Sequence, residues 1–146
     1  VLRNAVDHGL ETSEERQAAG KTPHGKIRLG ARLDAKDCVI EIADDGRGID
    51  WKRVGEKAAQ LGLPHATHDD LVNALFADGL STKGSVDETS GRGVGMSAVA
   101  AAVRGRGGSI RVHSDGRSGT RIQLSWPASM AHPRLNKRSI HPSPKA

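Results

Sequence analysis

Aromatic residues are nearly absent from this chain: Phe76, Trp51 and Trp126 are the whole set, and there is no tyrosine. Proteins that hold single-stranded nucleic acid stack bases on aromatic platforms, so this scarcity argues against such a role. Cysteine is scarcer still. The lone Cys38 excludes an internal disulfide, fits a cytoplasmic location and, lying on an expected strand, is read as core. No apolar run is long enough to span a bilayer, and no secretory signal opens the chain. Apolar residues make up 36% of 146, enough for one domain with a modest core.

The net charge of +5 suggests a nucleic-acid footprint until it is located. Residues 128–146 carry Arg134, Lys137, Arg138 and Lys145 and no acid, which leaves 18 cations against 17 acids in residues 1–127. The basic excess is therefore a property of the tail. That tail is proline-bearing and without periodicity, so residues 128–146 are expected to be disordered beyond a domain spanning 1–127. Glycine, in contrast, is abundant at 18 residues. Glycine-rich, aromatic-poor chains lean on backbone conformation in loops, phosphate-binding loops among them.

The chain opens on Val1 inside a helical pattern that stops at Gly9, so an incomplete N-terminus is expected. Ser13 is placed to cap a short acidic helix ending at Gly20. Residues 26–33 and 38–42 read as strands joined by a turn over 34–37. Helices are predicted over 51–61 and 69–76, the second capped by Thr67 or His68. Residues 77–92 read as a mobile loop. A helix is then expected over 94–104, and strands over 109–114 and 120–126. This order predicts an α+β two-layer sandwich, a mixed sheet with helices on one face.

Four constellations carry chemistry. Asp44-Asp45-Gly46-Arg47-Gly48 ends a strand, where a carboxylate at a pocket floor can accept a hydrogen bond from an exocyclic amine; an acidic Asx turn explains it equally well. Gly91-Arg92-Gly93-Val94-Gly95-Met96 opens a helix, and its main-chain N–H groups suit a polyphosphate, or else form a hinge. Gly116-Arg117-Ser118-Gly119-Thr120 reads by itself as a tight turn. Asn4 and His8 share a helix face, and an amide oxygen is a suitable Mg²⁺ ligand when phosphates complete the shell. His65, His68, Asp69 and Asp70 are metal-capable residues beside a helix start, a place where histidines are usually solvated.

In this order the four resemble the boxes of the superfamily of histidine kinases, gyrase, Hsp90 and mismatch-repair ATPases. The stretches Arg3–Gly9, Glu14-Glu15-Arg16, Ala19-Gly20-Lys21, Asp44–Asp50, Gly79, Ser81-Thr82 and Ser90–Met96 are most similar to chemotaxis histidine kinases of the CheA type. The resemblance covers about residues 1–127. It implies a Bergerat-type ATP-binding sandwich. Asp44 would take the adenine amine, with Gly46, Gly48 and Ile49 at the ring and Thr120 behind. Asn4 would bind Mg²⁺, and Lys57 would reach phosphate. Residues 77–92, with Ser81 and Thr82, would be the lid; Gly91, Arg92, Gly93, Val94 and Gly95 would wrap the phosphates; Met96 would begin the helix that lines the pocket, and His8 is a weaker catalytic candidate. The γ-phosphoryl would pass to a histidine on a separate phosphotransfer domain, upstream of a response regulator and alongside chemoreceptor-array proteins.

Two departures bear on this. The family residue four positions before the box asparagine falls ahead of Val1; histidine there points to a kinase and glutamate to a hydrolase. Leu80 stands where the family usually has an aromatic. A nucleotide-holding remnant and a gyrase- or Hsp90-like ATPase therefore stay open as alternatives.

Overall fold

The computed structural model describes residues 5–33, 36–80 and 95–131. After a π-type helical turn over Ala5–Gly9, closed by Leu10 N donating to Ala5 O at 2.9 Å, the elements run α1 (Ser13–Ala18), β1 (Ile27–Leu33) and β2 (Asp37–Asp44). Then come α2 (Trp51–Gln60), α3 (His68–Leu75), α4 (Met96–Arg104), β3 (Ser109–His113), β4 (Thr120–Pro127) and α5 (Ala128–Ala131). The sheet order is β1-β2-β4-β3, and all three pairings are antiparallel. The parallel component of the expected mixed sheet is thus not among the described strands.

Alternation sorts the strands into two faces. Register aligns Leu29, Ile42, Ile122 and Val112 on one rung, and Ala31, Ile40, Leu124 and Ile110 on the next. Ile42, Ile122, Leu124 and Val112 pack with Val72 and Phe76 near or on α3 and with Ala100 and Val103 of α4 to form the main core. A second cluster joins Val54 and Ala58 of α2 to Ala74 and Leu80. Leu80, at the position where an aromatic is usual in the resembling family, is 2% exposed. The opposite face is polar apart from the buried Val39: Gln123 Nε2 donates to Glu41 Oε2 at 2.7 Å, and Ser109 and Ser125 hydroxyls meet at 2.9 Å. The edge strand β1 stays open, with Leu29 65% and Leu33 52% exposed.

Helix ends follow local chemistry. Thr12, not Ser13, caps α1 in a capping box with Glu15, while the Ser13 hydroxyl donates to Pro23 O at 3.2 Å. Thr67 caps α3 with Asp70 in the same way. Gly95 precedes α4, which starts at Met96 rather than Val94 and has no side-chain cap. The expected tail begins with a helical turn instead, α5, whose Ala128 N donates to Lys36 O at 2.8 Å. Among the described residues no helix is long and apolar enough to cross a membrane. Asn4, Ser81, Thr82, Gly91, Arg92, Gly93 and Val94 lie outside the described residues, as do most of the predicted loop and residues 132–146.

Candidate functional site

On the helix face of β2 the sequence runs Cys38, Ile40, Ile42, Asp44: three residues suited to a core, then a carboxylate. Asp44 pairs across the sheet with Thr120, so this rung closes the apolar ladder. Cys38 is half-buried on the same face, as expected of a core-side cysteine.

Asp44 lines a cavity of about 240 Å³ together with Ala5, Gly9, Ile42, Gly48, Ile49, Asp50, Arg53, Val54, Leu75, Met96, Thr120 and Ile122. Pockets for whole drug-sized ligands begin near ~300 Å³, so this one suits a single flat ring system. Gly46 N donates to Asp44 Oδ1 at 3.0 Å, and Thr120 N donates to the same oxygen at 3.2 Å. No described residue donates to Oδ2. Among the described residues the carboxylate is held by one oxygen and not by the other, within walls that are otherwise largely aliphatic.

The loop after Asp44 is pressed against its neighbours. A Cβ at Gly46 would collide with the carbonyl oxygen of Gly9, and Arg47 N donates to that oxygen at 2.9 Å. Gly119 has φ +101°, and a side chain there would strike the Asp44 carbonyl. The Gly-x-x-Gly-Thr segment is therefore more than a hairpin turn: it lies directly behind the Asp44 loop.

Two sets of side chains hold this loop. On one side, Arg16 is 1% exposed. Its Nη2 donates to Asp45 Oδ2 at 2.9 Å, its Nη1 to Asp45 O and Glu11 Oε2 at 3.1 Å each, and its Nε to Thr22 O at 2.7 Å. Lys21 Nζ donates to Glu11 Oε1 and Gly46 O at 2.7 Å each and to Asp45 O at 3.1 Å. Burial by itself would raise the Asp45 pKa, but the Lys26 N–H, donating at 2.7 Å, and the Arg16 guanidinium outweigh it and hold the carboxyl below its ordinary value. Glu11 is likewise pushed up by burial and brought below its ordinary value by the Lys21 hydrogen bond and the two cations.

On the other side, Ser114 Oγ accepts from Ile49 N at 2.8 Å and donates to Gly119 O at 2.9 Å. Trp51 Nε1 donates to Ser114 O at 3.0 Å, which ties the first turn of α2 to the β3–β4 connection. Asp115 beside it accepts from Ser118 N at 2.7 Å, from the Ser118 hydroxyl and from Arg117 N, and its pKa falls to about 2.

Of the sequence-predicted residues, the fold brings Asp44, Gly48, Ile49, Met96 and Thr120 to one cavity, with Gly46 behind it and Gly95 at the start of α4. Lys57 does not line the cavity; Arg53, one turn earlier on α2, does. The entry into α2 explains this, since Asp50 caps the helix by accepting from Arg53 N at 2.9 Å and so sets its first turn against the cavity. The side chain of His8 lies outside the described part. His68 stacks edge-on to Trp51 at 4.8 Å, with Nε2 3.3 Å from Val112 O, and Asp70 serves the Thr67 capping box. These residues build the start of α3. Sequence reasoning gave no role to Arg16, Lys21, Arg53 or Ser114. The Glu-Glu-Arg…Gly-Lys stretch was visible as a motif, but nothing in its spacing says which main-chain atoms it reaches.

Residues 1–130 match the family model of histidine kinase-, DNA gyrase B- and HSP90-like ATPases. Chemotaxis protein CheA of Rhizobium meliloti (strain 1021) is 42% identical over 135 residues, covering 90% of this chain and 18% of that protein. The gliding motility regulatory protein of Myxococcus xanthus is 41% identical over 137 residues, with the same coverage of 90% and 18%. The chain thus spans about a fifth of the length of these relatives. Among solved structures, the histidine kinase domain from Erythrobacter litoralis EL346 blue-light activated histidine kinase aligns over 88% of this chain and 40% of its own at 19% identity, with a TM-score of 0.46.

Proposed function

Because the chain belongs to the family of histidine kinase-, DNA gyrase B- and HSP90-like ATPases, we propose that it is the ATP-binding catalytic domain of a chemotaxis-type histidine kinase. The observation that carries this reading is the Asp44 carboxylate: one oxygen is held by Gly46 N and Thr120 N, and the other stands ready at an apolar cavity of ring size. Such a group selects an adenine through its exocyclic amine. The ring sits among Ile42, Ile49, Met96 and Ile122, and its phosphates run toward the uncapped N-terminus of α4 after Gly95, where free N–H groups favour anions.

Gly91, Arg92, Gly93 and Val94 continue that anion path in sequence, with Ser81 and Thr82 at the far end of the lid. Arg53 on the cavity wall supplies positive charge nearer than Lys57 does. Mg²⁺ would be held by Asn4 and by phosphate oxygens, and bound there it neutralises phosphate charge. Among the described residues no cluster of three or more His, Cys, Asp or Glu could hold a metal.

The γ-phosphoryl passes to a histidine on a separate phosphotransfer domain, and from there to a response regulator in the cytoplasm, within a chemoreceptor array. The domain's own contribution is positioning and charge neutralisation. The test uses the full-length protein. Asp44→Asn exchanges an acceptor for a donor. Losing a hydrogen bond to a charged group, ~1.5–3 kcal/mol, should weaken ATP binding about 10- to 150-fold with the fold retained by circular dichroism. Labelled ATP, Mg²⁺ and a phosphotransfer domain should yield phosphohistidine with the wild type. Wild-type ATP affinity in Asp44→Asn would overturn the adenine assignment, and hydrolysis without phosphohistidine would overturn the kinase reading.

A further inference from the structure

We infer that Arg16 and Lys21, with Glu11 and Asp45, form a buried latch that positions the Asp44 carboxylate and thereby sets selectivity for an adenine over a 6-oxo purine. The inference rests on the proposed nucleotide site. None of the four lines the cavity, so their role is that of positioning residues.

The geometry is specific. Three of the seven hydrogen bonds from the two cations go to main-chain carbonyls of the nucleotide loop: Arg16 and Lys21 both to Asp45 O, and Lys21 to Gly46 O. Asp45 and Gly46 are the two residues that follow Asp44. Thr120 N is one of the two donors that hold Asp44 Oδ1; the other is Gly46 N, on the unit whose carbonyl is Asp45 O. Fixing Asp45 O therefore fixes the direction of that N–H, and with it the carboxylate. Glu11 completes the latch from the other side. It follows Gly9 by two residues, and Gly9 O receives Arg47 N. The latch thus clamps the loop onto the end of the Ala5–Gly9 turn, at a point where Gly46 leaves no room for slack.

Surface pairs of Lys or Arg with carboxylates do little. This cluster differs in that Arg16 is 1% exposed and Glu11 10%, with Lys21 at 21% and Asp45 at 38% toward its rim, and in that its donors reach main-chain carbonyls as well as carboxylates. The Arg16 fork reaches two carboxylates and two carbonyls from three nitrogens, a spread that the single ammonium of a lysine at position 16 does not reproduce.

The experiment measures binding of ATP and ITP to the full-length protein by titration calorimetry, well below the melting temperature. ITP differs at the reading atom, bearing a 6-oxo group where ATP bears the amine. The variants are Arg16→Lys, Arg16→Gln and Lys21→Met, with Arg111→Met on the open sheet face as a charge control. In Arg16→Gln and Lys21→Met, ATP affinity should fall about tenfold, the size of one well-placed charged hydrogen bond, while ITP affinity holds, so that the ratio collapses. Arg16→Lys should restore part of the ratio, and Arg111→Met should leave it intact. A merely structural role would lower both nucleotides together or neither, and either result overturns the latch. Lys21 is 21% exposed, so Lys21→Met carries the test if Arg16→Gln does not fold. A wild-type protein that binds neither nucleotide would instead sink the nucleotide-site reading itself, a result distinct from an unchanged ratio.

Discussion

The Asp44–Ile49 loop is held from two sides by different chemistry. At its start, Arg16 and Lys21 grip Asp45 and Gly46 with charged groups, of which Arg16 and Glu11 are largely removed from water. At its end, Ser114 grips Ile49 with a neutral hydroxyl that passes the bond on to Gly119. The charged grip is strong only while all its partners are present, because each buried ion depends on the others for the solvation it has lost. The neutral grip is weaker but independent of pH and salt. The loop therefore has one clamp that conditions can loosen and one that they cannot.

The largest effect should come from breaking the charged side. Arg16→Met removes four hydrogen bonds and leaves Glu11 with Lys21 alone; with the Asp45 side chain 38% exposed and open to water, the loss should be about 3 kcal/mol, the low end for a buried pair. Urea unfolding should show a lower midpoint with an unchanged slope. A loss under ~1 kcal/mol, the scale of surface ion pairs, would mean that the latch is a surface pair in effect. The neutral side should give less. Ser114→Ala strands Ile49 N and removes the donor to Gly119 O, for about 1–3 kcal/mol. Combined with Arg16→Met, its cost should add if the clamps are independent and exceed the sum if each limits the damage done by losing the other.

Much of this arrangement was legible beforehand, and the exceptions have physical causes. Alternation in Lys26–Leu33 and Cys38–Ile42 is enough to give strands and faces, and the run to Asp44 is enough to mark a carboxylate at the end of a buried strand. The glycine loops follow from backbone need. The cap on α1 was misassigned by one residue because Thr12 and Ser13 are both good caps, and only the reciprocal bond from Thr12 N to Glu15, 2.9 Å, decides between them. The place of Arg53 on the cavity wall is not legible in the same way, because the entry angle of α2 is set by the Asp50 cap on Arg53 N and by Trp51 bonding Ser114, 63 residues away in sequence. The latch was illegible for the same reason. A buried arginine looks like any surface cation until the chain folds 29 residues back to place Asp45 against it.

The smallest and most selective effect is the response to acid. Glu11 and Asp45 have ordinary values of 4.5 and 3.8, and both are lower in the folded protein. A group with a depressed folded pKa stabilises the protein above its unfolded value and loses that contribution as pH falls through the folded value. The charged clamp is thus fully in force at neutral pH and fades below about pH 4.5, while Ser114 does not titrate there at all. Glu11→Gln should accordingly lower the melting temperature most at neutral pH, with the gap from wild type narrowing as pH falls. Ser114→Ala should run parallel to wild type throughout. Asp115, whose pKa is about 2, and Asp70 keep their own capping bonds in every variant, so part of the acid limb persists in all three curves. Differential scanning calorimetry from pH 7 to pH 2.5 separates the cases. A Glu11→Gln curve parallel to wild type would show that the charged clamp is not what acid loosens.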